Sequence, residues 1–132
     1  MLQIIKHILG VGGKGNMKSI LIIDNEIGLC EIMREYFETK GYLVIYSLTG
    51  GGGLDAFEES NPDIVILEAE LNDIKGFDVY EKIRAINPKT KILVTTSSPG
   101  QIEYFLEKKL AGVQFLLKPI SLSRLCKIMD NL

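Results

Sequence analysis

The 132-residue chain has no tryptophan, one histidine, four prolines and only two cysteines. Cys30 and Cys126 are too few for a disulfide framework and lack the spacing of a metal site, so we expect two buried free thiols. Positive charge is not in excess, because 15 basic residues face 17 acidic ones for a net charge of −2. A chain with this balance is not expected to bind nucleic acid directly.

The chain also lacks any apolar run approaching the ~20 residues that span a bilayer. Its N-terminus has a lysine inside the apolar stretch and no small-residue cleavage site, so we expect neither signal peptide nor anchor, and a cytoplasmic protein. Residues 10–16 carry four glycines and predict a hinge. The sequence thus divides into an N-terminal extension, 1–16, and one domain, 17–132, whose composition suffices for a hydrophobic core.

Short apolar runs rich in β-branched residues alternate with helical patterns five times after Ser19. The predicted strands are Ile20–Ile23, Tyr42–Tyr46, Ile64–Leu67, Ile92–Thr95 and Val113–Leu117. Apolar side chains between them recur at helical spacing, and we expect stripes that include Ile27, Cys30, Met33 and Phe37 in the first helix and Ile102, Phe105 and Leu106 in the fourth. The second helix, Leu54–Ser60, follows four glycines and is predicted to be the weakest.

Strict β-α alternation predicts a doubly wound α/β fold, a (βα)5 unit with a five-stranded parallel sheet in the order 2-1-3-4-5. Sites in such sheets form at the carboxyl ends of the strands beside the switch point, here strands one and three. Asp24 and Glu68 end these strands, while Thr96 and Lys118 end strands four and five. Carboxylates hold hard cations, and lysine and hydroxyl groups donate to phosphate oxygens, so this rim suits a divalent cation and a phosphoryl group.

Residues 18–132 resemble the receiver domain of two-component response regulators, the CheY-like superfamily with a flavodoxin-like fold. The motifs that carry the resemblance are Ile-Leu-Ile-Ile-Asp-Asn-Glu at 20–26, Asn-Pro-Asp-Ile-Val-Ile-Leu-Glu at 61–68, Val-Thr-Thr-Ser at 94–97 and Ala-Gly-Val-Gln-Phe-Leu-Leu-Lys-Pro at 111–119.

The resemblance implies a set of roles for the rim. In the family an acidic pair after strand one helps to bind Mg²⁺, and an Asp after strand three is phosphorylated by a histidine kinase or phosphotransferase. A hydroxyl residue, here Thr96, and the lysine, here Lys118, contact the acyl phosphate. An aromatic residue, here Phe115, reports the switch to the face formed by helix four, strand five and helix five.

The sequence departs from the family at the acidic positions. Asn25 replaces the second acid, and Glu68 occupies the phosphoacceptor position, where its extra methylene moves the carboxylate by roughly 1 Å and can cost on the order of 100-fold in rate. Glu70 stands where the family uses a backbone carbonyl for the metal, and Asp73 is a further nearby acid. We therefore expect weak Mg²⁺ binding by Asp24, Asn25, Glu68 and Glu70, and an ion pair between Glu68 and Lys118.

The sequence thus favours a non-enzymatic, single-domain receiver, monomeric or weakly dimeric, that acts through contacts with a histidine kinase or phosphotransferase, a downstream protein, or both. A phosphorelay member that still accepts phosphate weakly is one alternative. A second is a metal-dependent phosphatase with Asp24 as nucleophile, because Asp24-Asn25-Glu26 faintly resembles a D-x-D loop. A flavodoxin-type flavin protein shares the strand order, but Asp24 and Glu26 would repel its phosphate.

Overall fold

The computed structural model describes residues 17–110 and 112–132, so the predicted extension at 1–16 lies outside the described residues. The strands are β1 (Ser19–Ile23), β2 (Leu43–Ser47), β3 (Ile64–Glu68), β4 (Lys91–Thr96) and β5 (Val113–Leu117). The helices are α1 (Ile27–Thr39), α2 (Gly50–Ser60), α3 (Gly76–Ile86), α4 (Pro99–Glu107) and α5 (Leu122–Asp130). Each predicted strand is present within one residue of its expected bounds.

The five strands form one parallel sheet in the order β2-β1-β3-β4-β5, as predicted. Helices lie on both faces, and a separate apolar core fills each layer. All five residues of β1 and of β3 are buried, as expected for central strands covered on both faces. No helix in the described part of the chain is long and apolar enough to cross a membrane.

The helical stripes are largely confirmed, with two exceptions. Cys30, Met33 and Phe37 of α1 are buried, but Ile27 at its first turn is 56% exposed. In α4, Phe105 is buried, whereas Leu106 is 59% exposed. Ile27 lies in the first turn of α1, and Leu106 lies on the outer side of α4. Neither side chain therefore faces the sheet.

The bounds predicted for α2 are wrong, because the helix begins at Gly50 and includes all four glycines. Three acceptors hold its first turn: Thr49 Oγ1 accepts from Gly52 N at 3.0 Å, and the Asp73 carboxylate accepts from Gly50 N at 2.8 Å and Gly51 N at 2.9 Å. Capping of the otherwise unpaired N–H groups offsets the poor helix propensity of glycine. Asp73 is therefore a helix cap, contrary to its expected place beside the metal-binding acids.

Candidate functional site

The carboxyl ends of the strands bring the predicted site residues to one edge of the sheet. Asp24 follows β1, Glu68 ends β3, Thr96 ends β4 and Lys118 follows β5. Backbone hydrogen bonds continue beyond the strands, from Asp24 N to Ser47 O at 3.1 Å and from Lys118 N to Thr96 O at 2.8 Å. These bonds fix the directions in which the first side chains of the loops leave the sheet.

Lys118 lies among three carboxylates. Its Nζ is 2.5 Å from Glu68 Oε1, 2.5 Å from Glu26 Oε2 and 3.0 Å from Asp24 Oδ2. The Lys118 side chain is 9% exposed, and those of Asp24 and Glu68 are 1% and 6% exposed, while that of Glu26 is 58% exposed. The pairs of Lys118 with Asp24 and Glu68 are therefore shielded from solvent, whereas Glu26 pairs with Lys118 on the exposed side of the cluster.

The cluster changes the proton affinity of the lysine. Burial alone would lower the pKa of Lys118, but its pairing with the carboxylates of Glu26, Glu68 and Asp24 outweighs burial and raises that pKa above its ordinary value of 10.5. Lys118 is thus held as a cation at neutral pH.

Asp24 uses its two oxygens differently. Oδ1 accepts a hydrogen bond from Glu26 N at 2.9 Å. Oδ2 is buried and has no hydrogen bond of good geometry to the residues that the structure describes, so its 3.0 Å approach to Lys118 is a charge pairing only. This oxygen keeps a lone pair free for a further cation.

Glu68 has both oxygens engaged. Oε1 pairs with Lys118, and Oε2 accepts from Glu70 N at 2.9 Å. The ion pair expected between Glu68 and Lys118 is present in this geometry.

Thr96 is fully buried and contacts Glu70 instead of Glu68. Its Oγ1 donates to Glu70 Oε1 at 3.0 Å and accepts from Ser98 N at 3.0 Å. The Glu70 side chain is thus bound to this hydroxyl and lies outside the close carboxylate group of Asp24, Glu26 and Glu68, while the role expected for its backbone carbonyl at a metal ion stays a prediction.

Phe115 belongs to a separate aromatic cluster. Its ring centroid lies 5.8 Å from that of Phe105 in an edge-on arrangement, and Phe105 in turn contacts Phe77, Tyr80 and Tyr104. The side chain is half-buried in the layer formed by α3, α4 and β5.

A family model for the response regulator receiver domain matches residues 20–130, most of the chain. The chain belongs to the response regulator receiver domain family. Such domains interact with histidine kinases or phosphotransferases.

Individual receiver proteins resemble the chain at low identity. It is 28% identical to the chemotaxis protein CheY of Thermotoga maritima over 86% of this chain and 96% of that protein. It is 26% identical to the probable transcriptional regulatory protein TcrX of Mycobacterium tuberculosis, over 82% of this chain but 46% of that protein. The chain thus spans less than half the length of some curated relatives.

Solved receiver structures share the fold. A CheY-like receiver domain protein from Methanospirillum hungatei superimposes with a TM-score of 0.80 at 24% identity, covering 88% of this chain and 93% of that one. The Thermotoga maritima response regulator TrrA, in complex with Mg²⁺-BeF, gives 0.78 at 25% identity, covering 87% and 98%.

The donor set of this receiver domain fits a hard divalent cation. One oxygen from each of Asp24, Glu26 and Glu68 lies within 4.8 Å of the others, and carboxylate oxygens are the ligands that Mg²⁺ prefers. The free lone pair of Asp24 Oδ2 supports the fit, although Lys118 already pairs with the same oxygens. Glu26 is not among the metal-site residues expected from the sequence, although its position two residues after Asp24 is a signal for that role.

Proposed function

We propose that this chain is a receiver domain with Glu68 at the phosphoacceptor position, and that it signals through protein contacts without depending on phosphorylation. The observation that carries the proposal is the 2.5 Å approach of Lys118 Nζ to Glu68 Oε1 between two largely buried side chains. Glu68 thereby supplies the negative partner that a phosphoryl group supplies to this lysine in ordinary receivers.

Phosphorylation of Glu68 would meet three obstacles. Transfer from acetyl phosphate breaks the bond between phosphorus and the acetyl oxygen, forms a bond from phosphorus to a Glu68 oxygen, and releases acetate. Glu68 Oε2 already accepts a hydrogen bond from Glu70 N and Oε1 is paired with Lys118, whose ammonium group fills the space that a phosphoryl group on Oε1 would take. Glu26 and Asp24 place further negative charge beside the entering dianion.

The mimicry by Glu68 alone is partial. A carboxylate brings one negative charge, whereas a phosphoryl group brings about 1.5 to 2. Glu68 therefore shifts the domain part of the way towards the arrangement that binds its protein partner, a histidine kinase, a phosphotransferase or a downstream target in the cytoplasm.

Intact-mass measurement after incubation with acetyl phosphate and Mg²⁺ tests this function. We expect the native chain to gain no phosphoryl group, and the Glu68→Asp variant to gain one because the shorter side chain withdraws from Lys118. Glu58→Asp, the same change at an exposed helix position, is the matched control. Rapid phosphorylation of the native chain would contradict the proposal and favour a working phosphorelay member.

Amide NMR spectra test whether Glu68 biases the partner face. Glu68→Gln keeps the size of the side chain but removes the charge that pairs with Lys118, so we expect shifts along residues 96–120. Matching spectra in this range would show that Glu68 is not a switch and would leave a scaffold that acts through constant contacts.

Calorimetry tests the proposed weak binding of Mg²⁺ by the site. An Asn25→Asp variant should bind Mg²⁺ more tightly than the native chain, because one more carboxylate is available. A Glu26→Gln variant should bind it more weakly if Glu26 supplies the missing charge. Equal affinities in all three proteins would contradict both roles.

The phosphatase alternative is disfavoured by the state of Asp24. This side chain is fully buried, with Oδ1 bound by Glu26 N and Oδ2 beside Lys118, so a bulky phosphate ester could not reach either oxygen without rearrangement of the site, although a small cation could share Oδ2. We expect no turnover of a model aryl phosphate. Turnover that Asp24→Asn abolishes would restore that alternative.

A further inference from the structure

We propose that Glu70 is a positioning residue that holds the Thr96 hydroxyl where a phosphoryl group would otherwise hold it. Glu68 and Glu70 then divide the contacts of one phosphoryl group, the first with Lys118 and the second with Thr96. This inference rests on the proposed function of Glu68 and extends it to a second carboxylate.

The hydrogen bonds of Thr96 single out Glu70. Thr96 is fully buried, so its hydroxyl needs a partner within the protein. Glu70 Oε1 accepts from it at 3.0 Å, whereas the other available acceptor, Ser98 O, lies at 3.5 Å. A bond to an ionised carboxylate is the stronger of the two, so Glu70 decides the direction of the hydroxyl.

The same hydroxyl reaches the start of α4. Thr96 Oγ1 accepts from the backbone N–H of Ser98, and Ser98 is the N-cap residue of α4. A displacement of Thr96 would therefore disturb the hydrogen bond that holds the N-cap residue of α4. Glu70 thus acts on this helix through Thr96.

The two carboxylates are physically connected. Glu70 N donates to Glu68 Oε2 at 2.9 Å, and Glu68 Oε1 pairs with Lys118. A continuous path of hydrogen bonds and ion pairs therefore joins the ends of β4, β3 and β5 through Thr96, Glu70, Glu68 and Lys118. The pair of carboxylates brings two negative charges, close to the charge of about 1.5 to 2 on a phosphoryl group.

Amide NMR spectra of Glu70 variants provide the first test. Glu70→Ala should shift the signals of residues 97–101, while Glu70→Gln should change them less, because the amide oxygen can still accept from Thr96. Glu81→Ala, at an exposed position of α3, is the control. Thr96→Val should shift the same signals, and Glu70→Ala should add little in the Thr96→Val background.

Two NMR outcomes would overturn the inference. One is a Glu70→Ala spectrum no more altered at 97–101 than that of the control. The other is full additivity of the Glu70→Ala and Thr96→Val shifts, since that would show that the two side chains act independently. Neither comparison alters Glu68, so the result of this test can be interpreted whether or not the proposed function holds.

A second test measures competition for Thr96. If Glu70 occupies the hydroxyl that an entering phosphoryl group needs, Glu68→Asp/Glu70→Ala should accept phosphate from acetyl phosphate several-fold faster than Glu68→Asp. Glu68→Asp/Glu70→Gln should remain close to Glu68→Asp, because the hydrogen bond persists. An equal acceleration by Gln would assign the effect to charge repulsion and overturn the positioning role.

Discussion

Lys118 is the single positive charge shared by three acidic side chains, two of them largely buried. A buried carboxylate that loses its counter-charge is costly, whereas an exposed one is not. The stability of the site therefore depends more on the lysine than on any one acid.

We expect Lys118→Met to lower the free energy of unfolding by about 3–5 kcal/mol, because Asp24 and Glu68 keep their burial but lose their cation. Mg²⁺ should restore part of this loss, since the freed oxygens form a better cation site. Urea unfolding with and without Mg²⁺ measures both effects, with Lys82→Met at an exposed position as control. Unchanged stability would show that the carboxylates do not need the ammonium group.

Two neighbouring threonines of β4 have opposite hydrogen-bonding states. Thr95 Oγ1 is buried without a hydrogen-bond partner in the described part of the chain, whereas Thr96 Oγ1 donates to Glu70 and accepts from Ser98 N. Thr95→Val removes an unsatisfied polar atom and should stabilise the domain by about 1 kcal/mol, while Thr96→Val should destabilise it by about 1–2 kcal/mol. Chemical denaturation of the two variants measures both changes in the free energy of unfolding. Destabilisation of similar size by both substitutions would contradict the prediction.

At the scale of elements, α2 shows how hydrogen bonds from outside a helix can override poor helix propensity. Its first turn is all glycine, yet Thr49 and Asp73 pair its N–H groups. Acceptance from Gly51 and Gly50 lowers the pKa of Asp73 below its ordinary value of 3.8. The cap is therefore charged and complete above that value and is lost as the pH falls through the lowered pKa.

The glycines of α2 differ in the space that is available for an added Cβ atom. A Cβ at Gly53 would lie 2.6 Å from Ile23 Cδ1, whereas the nearest atom to one at Gly51 is Asp73 Oδ2 at 3.5 Å. Gly51→Ala should therefore raise stability by up to ~1 kcal/mol through helix propensity, and Gly53→Ala should lower it because Ile23 must move within a packed core. Thermal unfolding of both variants measures these changes in stability. Equal effects would show that the Ile23 side chain moves away from the new Cβ without loss of stability.

At the scale of the whole molecule, two buried groups make the fold sensitive to alkali. Burial, reinforced by Asp24, raises the pKa of the Cys30 thiol from 9.0 to about 12, and carboxylates raise that of Lys118 above 10.5. Both groups bind protons more tightly in the folded chain. Their stabilisation is therefore complete below the unfolded values and is lost as the pH rises towards the folded ones.

We accordingly expect the free energy of unfolding to fall above pH 9, by at most about 1.4 kcal/mol per pH unit for each group. Cys30→Ala should abolish the part of the slope between pH 9.0 and 10.0, below the ordinary values of Lys118 and of Tyr42, whose pKa burial also raises, whatever its effect on absolute stability. Denaturation at several pH values measures the slopes, and an unchanged slope in the variant would contradict the role of Cys30.

The sequence by itself determined the architecture and which residues lie at the carboxyl edge of the sheet. Five apolar runs separated by helical patterns predict a parallel sheet, and the carboxyl ends of parallel strands share one edge. The sequence alone therefore places Asp24, Glu68, Thr96 and Lys118 together. The expected pairing of Glu68 with Lys118 followed from the same topology.

Only the tertiary structure decided which acid contacts which donor. Glu26 reaches Lys118 across 92 positions of sequence, Asp73 caps α2, and Glu70 binds Thr96. Periodicity reports which face of a helix or strand is buried, but these three acids lie in loops or at a helix start, where contacts depend on the path of the backbone. The glycine turn of α2 is helical for the same reason, because its stabilising acceptor comes from a loop more than twenty residues away.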